Sequence, residues 1–284
     1  MKKFIYIALC AIFASIYSLS IMSCDSDDDS STSYILPSIY TSGSSVPQKP
    51  TTAPTAPEIP TGIYGFAYHP NIIVSIDKEA GTCVAKKFAN YDSYKRTEAG
   101  NAVSSDIVST KTGEVVWVFT GLSWVNAYKI TVDDGSEAGL VRYIYGNSNY
   151  FNAYEIESES SETSYSSVST SDSFTAIDTT KWVIPADGKY VSKSTVKISE
   201  EDKYLYAVVS NSGKTITFYK DSTNTVTDPS TLTIYDTVSV SSYDFYSNRL
   251  SIETDNWIID TPNNMFRAKQ TSDMSSFAKL TSLQ

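Results

Sequence analysis

The chain has 284 residues and a formal net charge of −10, from 22 Lys and Arg against 32 Asp and Glu. A chain this acidic lacks the cationic surface on which nucleic-acid binding depends, so we expect no nucleic-acid partner. Its polarity comes largely from hydroxyl groups, with 45 Ser and 30 Thr, and its aromatic residues are led by 21 Tyr. Because Tyr, Thr and Val favour strands, the composition predicts an all-β fold.

The first segment has the pattern of an export signal. Lys2 and Lys3 precede an apolar run from Phe4 to Met22, which ends at Ser23 and Cys24. A basic start, an apolar middle and a small residue before the cleavage point are typical of a secretory signal. The run also approaches the length of about 20 residues that spans a bilayer, so an uncleaved membrane anchor is the alternative.

The end of this segment, Ile21-Met22-Ser23-Cys24, resembles a bacterial lipobox in the relaxed form found in spirochaetes. The resemblance implies cleavage between Ser23 and Cys24, so that residues 1–23 are a lipoprotein signal peptide and Cys24 carries the lipid. It also implies a membrane partner, reached through the lipid anchor, and a location in the bacterial cell envelope, at the outer membrane or cell surface. With Cys10 removed and Cys24 lipidated, only Cys83 remains, which leaves no internal disulfide.

Residues 24–61 are predicted to form a disordered tether. The segment starts with Asp and Ser and contains six of the ten prolines of the chain. Such a composition does not bury enough apolar surface to offset the entropy lost on ordering. A short docked strand near Tyr34 to Tyr40 is the alternative for its apolar residues.

Residues 62–284 are predicted to be a hairpin-rich β body. Alternating apolar segments are separated by turn residues. The predicted hairpins pair 63–68 with 72–76, 114–120 with 124–132, 140–145 with 150–156, 204–210 with 215–220, and 250–254 with 265–269.

Two segments depart from this strand pattern. The Ser- and Glu-rich stretch 157–173 has little apolar content and is predicted to be an exposed loop. At the other end, Met274, Phe277 and Leu280 are three residues apart, which predicts a short C-terminal helix over Thr271–Leu283 with one apolar stripe.

Residues 196–219 resemble a blade of the lactonase-like β-propellers, with an acidic turn, a Tyr-rich strand, a Gly turn and a second strand. The resemblance implies a propeller, and the length of the body would suit about five blades. A lipocalin-like barrel and a β-sandwich are the alternatives.

The inventory of reactive residues favours binding over catalysis. His69 is the one histidine, it is followed by Pro70, and no Gly-x-Ser-x-Gly elbow accompanies it. Cys83 lies in a strand pattern typical of a small core residue. The acidic stretch Asp133–Glu137 lacks the spacing of a calcium loop and suits a hairpin turn. We therefore expect no catalytic residues, no metal and no cofactor.

Four tryptophans are the candidate binding residues: Trp117, Trp124, Trp182 and Trp257. Such rings stack on sugars or peptides, although they also fill β cores. The sequence thus predicts a lipid-anchored envelope protein that binds an unknown protein or glycan without catalysis. The alternative is a lipid-anchored, propeller-type hydrolase.

Overall fold

The computed structural model describes residues 47–283 except 121, 160–165, 255–256, 262–266, 269–273 and 275–276. The predicted signal peptide, the lipidation site Cys24 and the tether up to Val46 lie outside the described residues. Within the described part, no helix is long and apolar enough to cross a membrane. The fold is all-β, and its three sheets are antiparallel.

The first half of the body contains two five-stranded sheets. The first sheet has the order β10-β1-β2-β3-β4, and its strands are β1 Gly62–Phe66, β2 Ile72–Asp77, β3 Thr82–Phe88, β4 Ile107–Thr112 and β10 Phe174–Ala176. The second sheet follows chain order, and its strands are β5 Glu114–Phe119, β6 Trp124–Val132, β7 Leu140–Gly146, β8 Phe151–Glu159 and β9 Ser166–Asp172.

These two sheets enclose one hydrophobic core. Alternate residues of β2, including Val74 and Ile76, meet alternate residues of β6, including Tyr128 and Ile130. The chain passes from the first sheet to the second at Gly113, whose N–H donates to the Cys83 carbonyl at 2.7 Å. A Cβ at Gly113 would lie 3.1 Å from the Lys129 carbonyl, so the crossing favours glycine.

The second half of the body is a single ten-stranded sheet. Its path is β15-β14-β13-β11-β20-β19-β18-β17-β16, with β12 paired to β13. The strands are β11 Gly188–Ser192, β12 Val196–Ile198, β13 Glu201–Ser210, β14 Thr215–Asp221, β15 Ile234–Ser239, β16 Asp244–Phe245, β17 Leu250–Glu253, β18 Ile258–Asp260, β19 Arg267–Ala268 and β20 Ala278–Ser282.

This sheet folds back on itself around a second core. The ring of Phe218 on β14 stacks on Trp257, just before β18, with centroids 4.0 Å apart, although several strands separate the two elements along the sheet. Ile73 and Phe88 contribute to the same core from the far face of the first sheet, so the two halves share a packed boundary.

The helix α1, Tyr91–Glu98, lies at this boundary. The Asn90 side chain caps it by accepting from Ser93 N–H at 2.9 Å. Tyr94 on α1 is buried against Trp182 and Phe245 of the second core. This helix has little signal in the sequence because it is short and mostly polar, with only Ser93 and Tyr94 buried.

The predicted C-terminal helix over Thr271–Leu283 is wrong. Residues 278–282 form β20, which pairs with β11 on one side and β19 on the other. Ala278 and Leu280 are buried whereas Phe277 is 61% exposed, which is the alternation of a strand. Met274, which makes an isolated bridge to Ile198, is buried as well.

The predicted loop over 157–173 is wrong in part, because β8 reaches Glu159 and β9 covers Ser166–Asp172. The predicted pairing of 250–254 with 265–269 is also wrong, since β18 lies between β17 and β19. The other four predicted hairpins are confirmed. The five-bladed propeller is not confirmed, because the sheets have five, ten and five strands and none closes on itself within the described residues.

The body begins earlier than the sequence predicted. Residues 47–61, expected to be part of the tether, belong to the same compact unit as the strands. Ile59 is completely buried in the core of the first half, and the Tyr64 hydroxyl donates to the Pro60 carbonyl at 2.6 Å. We call residues 47–58 the arm. Its low apolar content hid this docking, which depends on a few well-placed contacts.

Candidate functional site

Three side chains project from one face of the β5–β6 hairpin. The strand register places Trp117 opposite Asn126 and Phe119 opposite Trp124. Because residues two apart on a strand share a face, Trp124 and Asn126 lie on the same side as Trp117. We call these three residues the reader face. Further along β6, the same side carries Tyr128 and Ile130, which are buried against the first sheet.

The arm lies on the reader face and is held by its side chains. The indole N–H of Trp117 donates to the Thr52 carbonyl at 2.9 Å, and that of Trp124 donates to the Pro47 carbonyl at 2.8 Å. Asn126 makes two bonds with one residue: its Oδ1 accepts from Thr55 N–H, and its Nδ2 donates to Thr55 Oγ1, both at 3.0 Å.

The arm has no strand pairing, so these side-chain bonds replace a ladder. Pro50 and Pro54 are half-buried and Pro57 is buried, whereas Thr51, Thr52 and Ala53 are exposed. Proline has no N–H to satisfy, so an arm rich in proline can lie on a surface without a neighbouring strand. The prolines therefore supply apolar contact while the carbonyls supply the hydrogen bonds.

A groove of about 570 Å³ remains between the arm and the second sheet. Its walls are formed by the arm on one side and by the start of β6 and the end of β7 on the other. The lining residues are Thr55, Ala56, Pro57, Glu58, Trp117, Trp124, Val125, Asn126, Tyr145, Gly146 and Asn147. The groove combines the rings of Trp117 and Trp124 with the amides of Asn126 and Asn147, a mixture typical of sites that bind small polar molecules. Tyr145 lies at the edge of this lining, and its ring is on the other face of the sheet, where it stacks on Tyr154 with centroids 4.4 Å apart.

Charges lie at both ends of the arm. Lys49 Nζ is 5.8 Å from the centroid of the Trp124 ring, a cation–π distance. At the other end, Glu58 forms an ion pair with Lys78 of the β2–β3 turn. Both groups are largely exposed, so we assign them a positioning role and little energy.

The four predicted binding tryptophans therefore divide into two pairs. Trp117 and Trp124 are half-buried at the groove. Trp182 and Trp257 are 6% and 1% exposed, in the core of the second half. The indole of Trp182 donates to the Tyr246 carbonyl at 2.7 Å, and that of Trp257 donates to Asp236. Neither buried ring is available to a ligand in this structure.

The other residues considered in the sequence analysis, His69, Cys83 and Asp133–Glu137, lie outside the groove and make contacts within the fold. His69 lies in the β1–β2 connection with its ring edge-on to Phe66 at 5.7 Å. Cys83 is completely buried, and burial raises the pKa of its thiol to about 12, which keeps it protonated. Asp133–Glu137 forms the β6–β7 turn, as predicted, where Asp133 accepts from Gly135 N–H at 2.9 Å. Among the described residues, no three His, Cys, Asp or Glu side chains cluster as metal ligands.

The carboxyl groups show one direction of pKa shift. Where a described carboxyl has a displaced pKa, the pKa is lowered, because hydrogen bonds from neighbouring side chains stabilise the carboxylate. These groups are Asp106, Asp133, Asp134, Asp178, Glu201, Asp221 and Asp228. A general acid for glycoside cleavage has a raised pKa instead.

A second cleft, of about 530 Å³, lies at the ends of β13 and β14. Its charges are largely paired internally: Glu201 accepts from Lys203 at 2.8 Å, and Lys220 Nζ lies 4.6 Å from the centroid of the Tyr235 ring. This cleft has fewer aromatic residues than the first groove, which remains the better candidate site.

Sequence reasoning found Trp117 and Trp124 but missed Asn126, Tyr145 and the arm residues that complete the groove. The one available signal was the hairpin register, which places Asn126 beside Trp124 on one face. Comparisons with models of protein families, with curated proteins and with solved structures find no match to this chain.

Proposed function

We propose that this protein is a lipid-anchored, non-catalytic binding module of the bacterial cell envelope. In this proposal Cys24 carries the lipid, and the groove beside Trp117 and Trp124 receives a protein or glycan ligand. The observation that carries the binding role is the groove itself, where two half-buried tryptophans lie beside the amides of Asn126 and Asn147. Partly exposed aromatic rings in a concave site contribute strongly to recognition.

The arm adds support to the binding role. The arm is itself a peptide segment that this face holds through both indoles and Asn126, which favours a peptide-like ligand at the same place.

Anchoring is tested in the producing cell with Cys24→Ala. We expect this variant to remain an uncut precursor that takes up no labelled palmitate, while the wild type is cut and labelled. A wild-type protein released unlabelled into the medium would contradict the anchor.

Binding is tested with the full chain against panels of glycans and peptides. A genuine groove ligand should lose at least about tenfold in affinity with Trp117→Ala or Trp124→Ala. Tyr68→Ala, at an exposed aromatic outside the groove, is the matched control and should bind normally.

Catalysis is tested on esters, lactones and glycosides with the same preparation. We expect no turnover above the background. Turnover that is lost when His69 or one carboxylate is replaced would reject the non-catalytic role.

A further inference from the structure

The reader face recognises features that belong to an extended main chain. Two indole donors contact carbonyls five residues apart, at Pro47 and Thr52. Asn126 then reads the next bonded residue, Thr55, through both its N–H and its hydroxyl. Apart from the Thr55 hydroxyl, these contacts do not depend on the side chains of the bound segment.

The spacing of the body-facing prolines adds selectivity. Pro50, Pro54 and Pro57 are separated by four and three residues, and all three are less exposed than Thr51, Thr52 and Ala53 between them. A polyproline II helix has three residues per turn, so Pro54 and Pro57 would lie on one side of it and Pro50 a third of a turn away. Aromatic grooves with donors for free carbonyls bind such segments in several peptide-recognition domains.

The arm is held more weakly than a strand. It lacks ladder hydrogen bonds, and most of its residues from 47 to 55 are exposed. Segments with few buried contacts open more readily than the core of the same protein. The reader face can therefore become available while the sheets stay folded.

A lysine near the start of the segment adds one contact. In the arm, Lys49 Nζ lies 5.8 Å from the centroid of the Trp124 ring. The arm also contains Glu58, which pairs with Lys78, so its side chains carry no net charge. The contact of Lys49 with the ring, and not the overall charge, therefore distinguishes the bound segment.

We propose that the reader face binds an extended, proline-rich segment of another envelope protein with a lysine near its start, and that the arm is a resident occupant which this partner replaces. The inference rests on the proposed function, because it names the ligand class of the same surface. The arm limits binding until it is displaced, since a competing internal segment reduces the apparent affinity for an external one.

The experiment uses the full chain and a synthetic peptide with the sequence of residues 47–58. The wild type is compared with the arm variant Pro50→Ser/Pro54→Ser/Thr55→Ala, which weakens docking of the arm. The matched control, Gln48→Ser/Thr51→Ala/Ala53→Ser, changes three exposed arm residues. Binding is measured by calorimetry, and a thermal unfolding curve of each variant confirms that the body is folded.

If the arm covers the reader face for about nine-tenths of the time, the arm variant should bind the peptide about tenfold more tightly than the wild type. The control variant should bind like the wild type. A peptide with its prolines replaced by serine should bind more weakly. Adding Trp117→Phe and Trp124→Phe to the arm variant, which keeps two rings and removes both donors, should weaken binding of the original peptide.

Three outcomes would overturn the inference. The first is no peptide binding by the folded arm variant, and the second is equal binding of the serine peptide or by the two Phe variants. The third is concentration-dependent dimerisation of the arm variant that the peptide reverses, since the occupant would then be a second copy of this chain. A glycan that binds the groove when the peptide does not would reject this inference and leave the proposed function standing.

Discussion

The two halves of the body each contain two tryptophans and use them in different ways. In the second half, Trp182 and Trp257 are buried where a single sheet folds back on itself. In the first half, Trp117 and Trp124 are half-buried and bonded to the arm, and Trp124 also packs on Phe119 with ring centroids 5.4 Å apart. All four indole N–H groups have an acceptor, so hydrogen bonding does not separate the two pairs. The difference lies in the element that packs on the ring. The arm, which packs on Trp117 and Trp124, has no strand pairing, so another segment can take its place.

The β5–β6 hairpin shows how this difference arises. The same side of β6 is covered by the first sheet at Tyr128 and Ile130 and by the arm at Trp124 and Asn126. One strand thus contributes to a permanent core at one end and to a candidate binding surface at the other. The part of β6 that carries Trp124 and Asn126 is therefore held rigid by the core residues further along the same strand.

The largest loss of stability is expected for Trp257→Ala, which tests the difference between the core tryptophans and the groove tryptophans. This ring is 1% exposed and stacks on Phe218, so we expect a loss of about 3–5 kcal/mol in the free energy of unfolding. Chemical denaturation measures the loss, with Trp124→Ala as the partner measurement. If the two variants lost the same stability, the division into core and surface tryptophans would be wrong.

A second test concerns β20 in the second half. Leu280 is completely buried, and Leu280→Ala should cost about 2–5 kcal/mol. Phe277, three residues earlier, is 61% exposed, and Phe277→Ala should change the free energy of unfolding by no more than about 0.5 kcal/mol. A helix with one apolar stripe would make both changes costly, so the pair of variants distinguishes the two structures.

A third test addresses the boundary between the halves through Asp106. This buried carboxylate accepts from Arg96 Nε at 3.1 Å and from Val103 N–H at 2.9 Å, and the Arg96 bond lowers its pKa. A lowered pKa stabilises the folded state above the unfolded pKa of about 3.9, and this stabilisation is lost as the pH falls below it. The stability difference between the wild type and Asp106→Asn should therefore narrow from pH 7 to pH 3.

Denaturation curves at pH 7, 5 and 3 provide this measurement. Arg96→Gln removes the other partner and should show the same narrowing, because it ends the same interaction. A difference that stays constant over this range would show that Asp106 acts through its shape and not through its charge.

The last test concerns the attachment of the arm, through Trp124→Phe. This change keeps an aromatic ring and removes the donor to the Pro47 carbonyl, so we expect a loss of about 1 kcal/mol or less. Protease cleavage within residues 47–55 should increase, because the arm opens more often, while cleavage within the sheets stays unchanged. The same change in the fully buried Trp257 should leave the cleavage of the arm unaltered.

The sequence predicted the all-β class and four hairpins because their turns contain the residues that turns require. In the β13–β14 turn, Asn211 and Ser212 have positive φ angles, and Gly213 has a φ of +79°. A Cβ at Gly213 would lie 2.3 Å from Ile184 Cγ2, so both the conformation and the space require glycine. Such information is local, and it can be read directly from the chain.

What the sequence did not predict depends on distant partners. The spacing of Met274, Phe277 and Leu280 suits a helix, yet pairing with β11 and β19 makes residues 278–282 a strand. The burial of Trp182 and Trp257 depends on elements that meet only after the sheet has folded. The arm has the composition of a linker, and its docking depends on the positions of Trp117, Asn126 and Trp124.

The position of β20 has a consequence for the order of folding. Tyr190 on β11 is paired with Ser282 on β20. One edge of β11, an inner strand of the second sheet, therefore stays unpaired until a segment about 90 residues later has been synthesised. During synthesis the first half can assemble early, because its strands pair mostly with close neighbours in sequence. Until Ala278–Ser282 emerges, β11 and β19 have open edges that invite pairing with other chains. Folding of the second half is therefore completed only after β20 has been synthesised, although most of its other strands are available earlier.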